Sequence, residues 1–466
     1  MFPLLLLIIL IPFISILPLI AARDKALHSI SILTSALIFA LTILALYLAY
    51  GNYNLNISVS YISYLGLSFG LVGGQINLIL LLMTATVFFA ASMVGAYSIG
   101  TGERKYNIIF AIAEGASLAV FTSSSFFFLF VFWEISEVMM FFIIYLYGGY
   151  DRRYAAFKFI LYSLVSSLLL LIGMMVLYTS ITPHTFDIQT LIANGSAIPA
   201  ASQLLVLALF MVSFMIKMPI FPLHSWLPDA HTEAPTTGSM ILAGVLLKFG
   251  GYGLILTFLI LPIAAHYAIY IAMVFAFSSI YAALVALRQT NLKRAIAYTS
   301  ITDMGIVAVG AAASNSLGIE GALYFMLSHA LAISMLFLIA GTLDELYGTL
   351  EINKIKGVLN KFPGISYLFI LGAMAAVGLP LTSGFIADLL TFTGAFKAFR
   401  VVGLVPLAGV FLMGALLFWL YERIFQGEKY TKPYKELANS VIYSGTFLMI
   451  MSIILGVLPF LLLNLK

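Results

Sequence analysis

An all-α, polytopic membrane protein of about fourteen spanning helices is what this sequence predicts, and three observations predict it. The 466 residues include only 22 Lys and Arg and 18 Asp and Glu, 9% of the chain, where soluble domains run near a quarter. Apolar residues make up 63%. The apolar runs are continuous and about twenty residues long, which suits helices crossing a hydrocarbon core; a membrane barrel needs short alternating segments instead.

In chain order the expected spans are 3–21, 28–50, 76–99, 107–121, 126–148, 154–179, 203–227, 236–260, 267–287, 294–313, 320–342, 364–391, 401–421 and 438–462. The first run is read as a retained helix. Its positive charges, Arg23 and Lys25, follow it, and no clear small-residue cleavage site ends it. Alternating fourteen spans puts most of the 22 Lys and Arg on one side, from Arg23 and Lys25 to Lys429, Lys432 and Lys435, and only Lys397, Arg400 and Lys466 on the other. The positive-inside rule then places the rich side in the cytoplasm and both termini outside, in a prokaryotic cell membrane.

Charge inside the spans is the next signal. Glu114, Glu134, Glu137, Lys217, Lys248, Asp303 and His329 fall near the middle of their segments, and Asp388 lies in the twelfth. Each costs about 3 kcal/mol or more at a helix centre unless paired or hydrated. One such residue reads as an ion pair fixing helix register. Eight, spread over seven or eight helices, read as a hydrated proton or ion path.

Two of those helices should be broken. In KMPIFPLHSWLP, Pro219 and Pro222 remove backbone donors just past Lys217, and GLPLTSG, with Gly378, Pro380 and Gly384, precedes Asp388. Freed backbone groups at membrane depth need a watered or protein-lined cavity. These breaks divide the chain into helices 1–3 (1–100), a five-helix unit of helices 4–8 (101–260), a second of helices 9–13 (261–425), and helix 14 (426–466). Helices 7 and 12 are each the fourth of their unit, and an odd number per unit inverts one against the other, the pattern of inverted-repeat transporters.

Composition also excludes. Cysteine is absent, which removes thiolate-bound zinc, iron–sulfur clusters, disulfides and cysteine nucleophiles from this chain. Any redox chemistry belongs to partner subunits, and no cofactor is expected here. Juxtamembrane lysines and arginines account for the net charge of +4, so nucleic acid is not expected. The segment HSWLPDAHTEAP clusters His224, Asp229, His231 and Glu233, but its prolines spoil the helical spacing a zinc site would use. Those residues are read as helix caps and as the lining of a proton uptake route. The glycines of GVLLKFGGYG serve helix packing, and no nucleophile elbow suggests hydrolysis.

The stretch KMPIFPLHSWLPDAHTEAPTTGSMILAGVLLKFGGYG, residues 217–253, resembles the most characteristic segment of the antiporter-like membrane subunits of respiratory complex I and of Mrp-type cation/proton antiporters. FWE at 132–134, QTNLKRAIAYTSITDMG at 289–305, SHA around His329 and GLPLTSGFIADLL at 378–390 support it, over about residues 76–425. KFILYS after Lys158 and LAGVLLK favour the M-type subunit over its L-type and N-type relatives. The resemblance implies that Glu134 is the helix-5 acid paired with the helix-7 lysine, Lys217. It further implies that Lys248 is the helix-8 lysine, His329 the helix-11 histidine and Asp388 the helix-12 acid, usually a glutamate in M-type subunits. Departures are Asp303 where a histidine is common, Gly73 and Gly74 where an aspartate before glycine is frequent, and Glu114 and Glu137 as additions.

The function expected is therefore that of a proton-translocating, antiporter-like subunit of a complex I-type oxidoreductase. Protons would pass through Glu134, Lys217, Lys248, His329 and Asp388, with Glu137, Asp303, Glu114, His224 and His231 as secondary positions. Redox chemistry in other membrane and peripheral subunits would drive it. The alternatives are a sodium/proton antiporter subunit of a Mrp-type or membrane-bound hydrogenase complex, and a scaffold that transports nothing. The direction in which the ionisable groups point separates the last from the first two.

Overall fold

The chain is known from a computed structural model, which describes residues 3–100, 103–427, 432–433 and 435–465. Lys429 and Lys466, part of the expected charge asymmetry, lie outside the described residues. Twelve helices among those described are long and apolar enough to cross a membrane. They are α1 (Leu4–Ala21), α2 (Asp24–Tyr50), α3 (Gln75–Ile99), α5 (Phe126–Tyr147), α6 (Arg152–Ser180), α7a (Ala200–Lys217), α8 (Thr236–Ile260), α9 (Ala264–Ala286), α10 (Leu292–Ala312), α11 (Ser316–Tyr347), α13 (Val401–Phe425) and α14 (Asn439–Val457). The expected fourth span falls on α4 (Arg104–Thr122), which Lys105, Asn107 and Glu114 make more polar than these. The expected twelfth is two short helices, α12a (Pro363–Ala376) and α12b (Ser383–Phe399).

Burial sorts the helices into layers. The apolar windows of α8 and α11 are wholly enclosed by protein, and α3 and α10 nearly so, whereas α1, α2, α5 and α6 bury well under half of theirs. A helix apolar all round and covered all round is an interior helix. α3, α8, α10 and α11 form the centre, with the other helices packed around it.

Both expected breaks are present. α7a ends at Lys217, and the chain crosses residues 218–225 before resuming as α7b (Trp226–Glu233). The backbone groups freed there find partners. Ile220 N–H donates to Met215 O at 2.8 Å, Phe221 N–H to Ser278 Oγ at 2.9 Å, and Trp226 Nε1 to Ile216 O at 2.9 Å. In the second break Gly378 takes a left-handed φ of 72°, and Leu379 N–H reaches Met374 O at 3.0 Å. Gly384 lies beyond the break, in the first turn of α12b. α7b packs on α6, and α12b packs on α11, so each broken helix returns its second half to the helix before it.

One element was not expected. Residues Ile57–Ile62 (β1) and Leu67–Leu71 (β2) form an antiparallel hairpin between α2 and α3. It is anchored to the α4–α5 turn, where Val72 N–H donates to Thr122 O at 2.7 Å and Ser124 N–H to Gly70 O at 3.0 Å.

Candidate functional site

The site is a row of ionisable side chains through the centre of the bundle. α5 carries Glu134 and Glu137 three residues apart, close to one helical turn, so both can address α6 and α7a. Lys217, the last residue of α7a, closes an ion pair on Glu137; both side chains are 4% exposed. Trp133 Nε1 donates to the same carboxylate at 2.7 Å, and the Lys217 ammonium lies 5.6 Å from the Trp133 ring centroid. Lys217 also donates to Ser163 O at 3.3 Å, using the carbonyl of α6 as a further acceptor.

This corrects the pairing that the resemblance implies. Glu134 accepts a hydrogen bond from Ser167 of α6 and is only half-buried, whereas Glu137 faces inward and holds the lysine. The physical reason is the helix face: position 137 shares the inward side of α5 with Trp133 and Met140, while 134 is turned toward the α6 seam.

α8 supplies the next cation. It opens into a π-helical segment at Leu242–Leu246 before resuming at Leu247. Such bulges displace backbone carbonyls from the regular ladder and recur at functional sites. Here the carbonyl of Ala243 accepts from Lys248 Nζ. The lysine is fully buried, and its Nζ lies 2.7 Å from His329 Nδ1. On the far side of that ring, His329 Nε2 is 3.7 Å from Asp303 Oδ2. Lys248, His329 and Asp303 thus stand in a line contributed by α8, α11 and α10. α8 also touches the lysine of α7a: a Cβ placed on Gly250 would lie 3.1 Å from Lys217 Cβ, so the bare glycine lets the two lysine-bearing helices meet.

Asp388 ends the row. The break ahead of α12b turns its carboxylate back onto the chain, where a Cβ on Gly378 would meet Asp388 Oδ2 at 2.1 Å. Gly378 is therefore required twice, for its positive φ and for this contact. Asp388 is half-buried, on a helix that packs against α10, which carries Asp303.

The secondary positions divide. His231 is fully buried, stacked on Phe337 at 4.2 Å, with neither ring nitrogen hydrogen-bonded among the described residues. His224 lies in the α7 break among Phe221, Tyr281 and Tyr298. Glu114 stands apart from the row: it accepts from Ser35 of α2 at 2.9 Å, and its other oxygen is buried without a hydrogen-bond partner among the described residues. Asp229 is held by Lys158 at 2.7 Å and Arg294 at 2.9 Å.

A second charged cluster escaped the sequence reading because its members lie at helix ends and read as loop residues. Lys293, in the first turn of α10, is buried, donates to Ala234 O at 3.0 Å and lies 3.6 Å from Asp344. Thr236 donates to Glu345 at 3.0 Å. With Glu233 these line an open cavity of about 180 Å³ at the start of α8. The charge pairs KR at 293–294 and DE at 344–345 were the available signal.

Known proteins resemble this chain over most of its length. Residues 123–414, which contain the whole row from Glu134 to Asp388, match the family described as NADH:quinone oxidoreductase/Mrp antiporter, transmembrane. The chain belongs to that family. NADH-quinone oxidoreductase subunit M of Rickettsia prowazekii is 35% identical over 449 residues, covering 95% of this chain and 91% of the relative. A chain of respiratory complex I from Thermus thermophilus superposes with a TM-score of 0.90 at 26% identity, covering 99% of this chain and 98% of that one. A chain of the Mrp complex from Dietzia shares the fold, with a TM-score of 0.88 at 17% identity over 100% of this chain and 96% of that one. One fold is thus common to this chain and to these two, and both solved structures are multi-subunit membrane assemblies.

Proposed function

We propose that this chain is the proton-translocating, antiporter-like membrane subunit of a complex I-type oxidoreductase, carrying protons along its row of buried charges while partner subunits perform the redox chemistry. The observation that carries the reading is the direction of the ionisable groups. Lys217, Glu137, Lys248, His329 and Asp303 all point into the protein, each at most 4% exposed. A scaffold would spend its charges on the surfaces it offers to neighbours.

The row supplies two kinds of switch. Lys217 is held by Glu137, with Glu134 one turn away as a second acceptor, so the lysine retains its proton while a carboxylate is closed on it and can release it when the pair opens. Among the described residues Lys248 has a carbonyl and an imidazole as its hydrogen-bond acceptors, and it can exchange a proton with His329. Asp303 and Asp388 are the acceptors beyond. His231 and the cavity of Glu233, Lys293 and Glu345 form the uptake route on the Lys- and Arg-rich face, which this reading places in the cytoplasm of a prokaryotic cell with both termini outside. The units α4–α8 and α9–α13 are proposed as the two inverted halves, each broken in its fourth helix.

Glu134 and Asp388, the half-buried acids at the two ends, fit contact with neighbouring membrane subunits. The test is proton translocation by the assembled complex reconstituted in sodium-free vesicles and driven by its electron donor. Acidification that persists without sodium supports the proton reading; translocation that starts only when sodium is added supports the sodium/proton alternative.

A further inference from the structure

Two cavities lie at opposite ends of the same two central helices. The charged cavity includes Ser98 near the end of α3 and Thr236 at the start of α8. The other, of about 80 Å³, includes Asn77 at the start of α3 and Tyr252, Leu256 and Leu259 toward the end of α8. α3 is 25 residues long, about 37 Å at 1.5 Å per residue, so the two openings face opposite sides of the bundle. Lys248 lies between them on α8.

The second cavity continues outward. Val72 and Gln189 line both it and an open vestibule of about 360 Å³ at the foot of the hairpin, whose wall includes Asn52, Asn54 and Asn56. Inward, its polar floor is a pair of buried side chains. Asn77 Nδ2 donates to Tyr252 Oη at 3.3 Å and to Phe121 O at 2.7 Å, and the Phe121 ring packs edge-on against both Tyr252 and Phe249. Asn77 is 9% exposed and Tyr252 2%. Asn77, Ser123, Ser124, Gln189 and Tyr252 supply polar groups to a lining that is otherwise aliphatic, and a cavity of this size has room for several waters.

Tyr252 is four residues after Lys248, one turn on, so the two side chains share a face of α8. The Lys248 ammonium instead points the other way, five residues back to Ala243 and across to His329. We infer that Tyr252 and Asn77 form a gate between Lys248 and the hairpin-side cavity, and that Lys248 serves this half of the protein as a swinging arm. Curled toward Ala243 it takes up a proton from the charged cavity; extended toward Tyr252 it releases the proton to the hairpin side. The Tyr252 hydroxyl accepts that proton as it passes its own to cavity water, so the relay ends with its protons unchanged. Asn77 holds the hydroxyl in place, and the Phe121 and Phe249 rings keep the curled state dry. This rests on the proton-translocating reading and assigns a release route to the half of the row that ends at Lys248, while His329, Asp303 and Asp388 serve the other half.

The test uses the assembled complex in sealed vesicles. Tyr252→Phe keeps the ring packing and removes only the hydroxyl, and proton translocation through this subunit is expected to fall about a hundredfold, the modest end for loss of one proton-transfer group. Asn77→Leu is expected to act likewise. Because this chain has no cysteine, Gln189→Cys gives its only thiol. A membrane-impermeant thiol reagent applied from the hairpin side should block translocation in that variant, and should have no effect on the wild-type complex or on Tyr64→Cys, an exposed position of the same face. Wild-type pumping in both Tyr252→Phe and Asn77→Leu, or full pumping after Gln189→Cys is labelled, overturns the gate. Lys248→Met separates the two levels. If it stops pumping while the gate variants pump normally, only the gate fails; if it pumps normally, the underlying reading fails as well.

Discussion

Trp133 and Lys217 are joined through one carboxylate: the indole Nε1 donates to Glu137 at 2.7 Å while the lysine, 5.6 Å from the ring centroid, closes its ion pair on the same group. The indole therefore holds Glu137 in place when the lysine leaves. Removing Glu137 strands a buried cation, a change that costs about 3–5 kcal/mol when a buried pair loses one partner. Glu137→Gln should lower the thermal stability of the complex and reduce proton translocation at least tenfold. Thermal unfolding and vesicle acidification, measured on the same preparation, check both.

Replacing both partners distinguishes stability from transport. Buried ion pairs exchanged for apolar residues of similar volume are often neutral or stabilising. Glu137→Leu combined with Lys217→Met should therefore recover the stability that Glu137→Gln loses, while pumping stays absent. Recovery of pumping together with stability would make the pair a structural lock.

Lys248 offers the cleanest single change. It is fully buried, with no carboxylate in hydrogen-bond contact among the described residues. Lys248→Met removes a charge whose insertion costs about 3 kcal/mol at a helix centre, so the protein should be as stable as the wild type or more so. Proton translocation should stop. A variant that gains stability and loses pumping is the signature of a functional charge, and a denaturation curve beside an acidification trace reads it.

Lys158 provides the contrast. Its partner Asp229 keeps Arg294 at 2.9 Å when Lys158 is removed, and the pair is partly exposed. Partly exposed pairs contribute about 0–1 kcal/mol. Lys158→Ala should change stability by less than that and leave pumping within about twofold of wild type.

Much of this protein is legible in the sequence because lipid imposes a simple rule: long apolar runs become helices, and prolines or glycines inside them become breaks. The break after Lys217 follows from Pro219 and Pro222, and the break before Asp388 from the GLPLTSG stretch around Gly378 and Pro380. The partner of Lys217 was not legible. Glu134 and Glu137 lie on one turn of α5, and which of them reaches the lysine depends on the rotation of that helix against α6 and α7a. Continuous apolarity carries no phase from which to read that rotation. Lys293 and Glu345 were hidden because a charge at a helix end reads as solvated until neighbouring elements are known to cover it. The hairpin at 57–71 does show alternation, in ISVSYI, but a single six-residue run does not distinguish a strand from a loop between two spans.

The central claim is that protons travel along the buried charges rather than beside them, and the most direct measurement is proton translocation by the reconstituted complex carrying Lys217→Ala, with electron transfer followed in the same vesicles. The account predicts a complex that assembles and still reduces its acceptor but moves no protons through this subunit. A Lys217→Ala complex that acidifies its vesicles at the wild-type ratio of protons to electrons would contradict it.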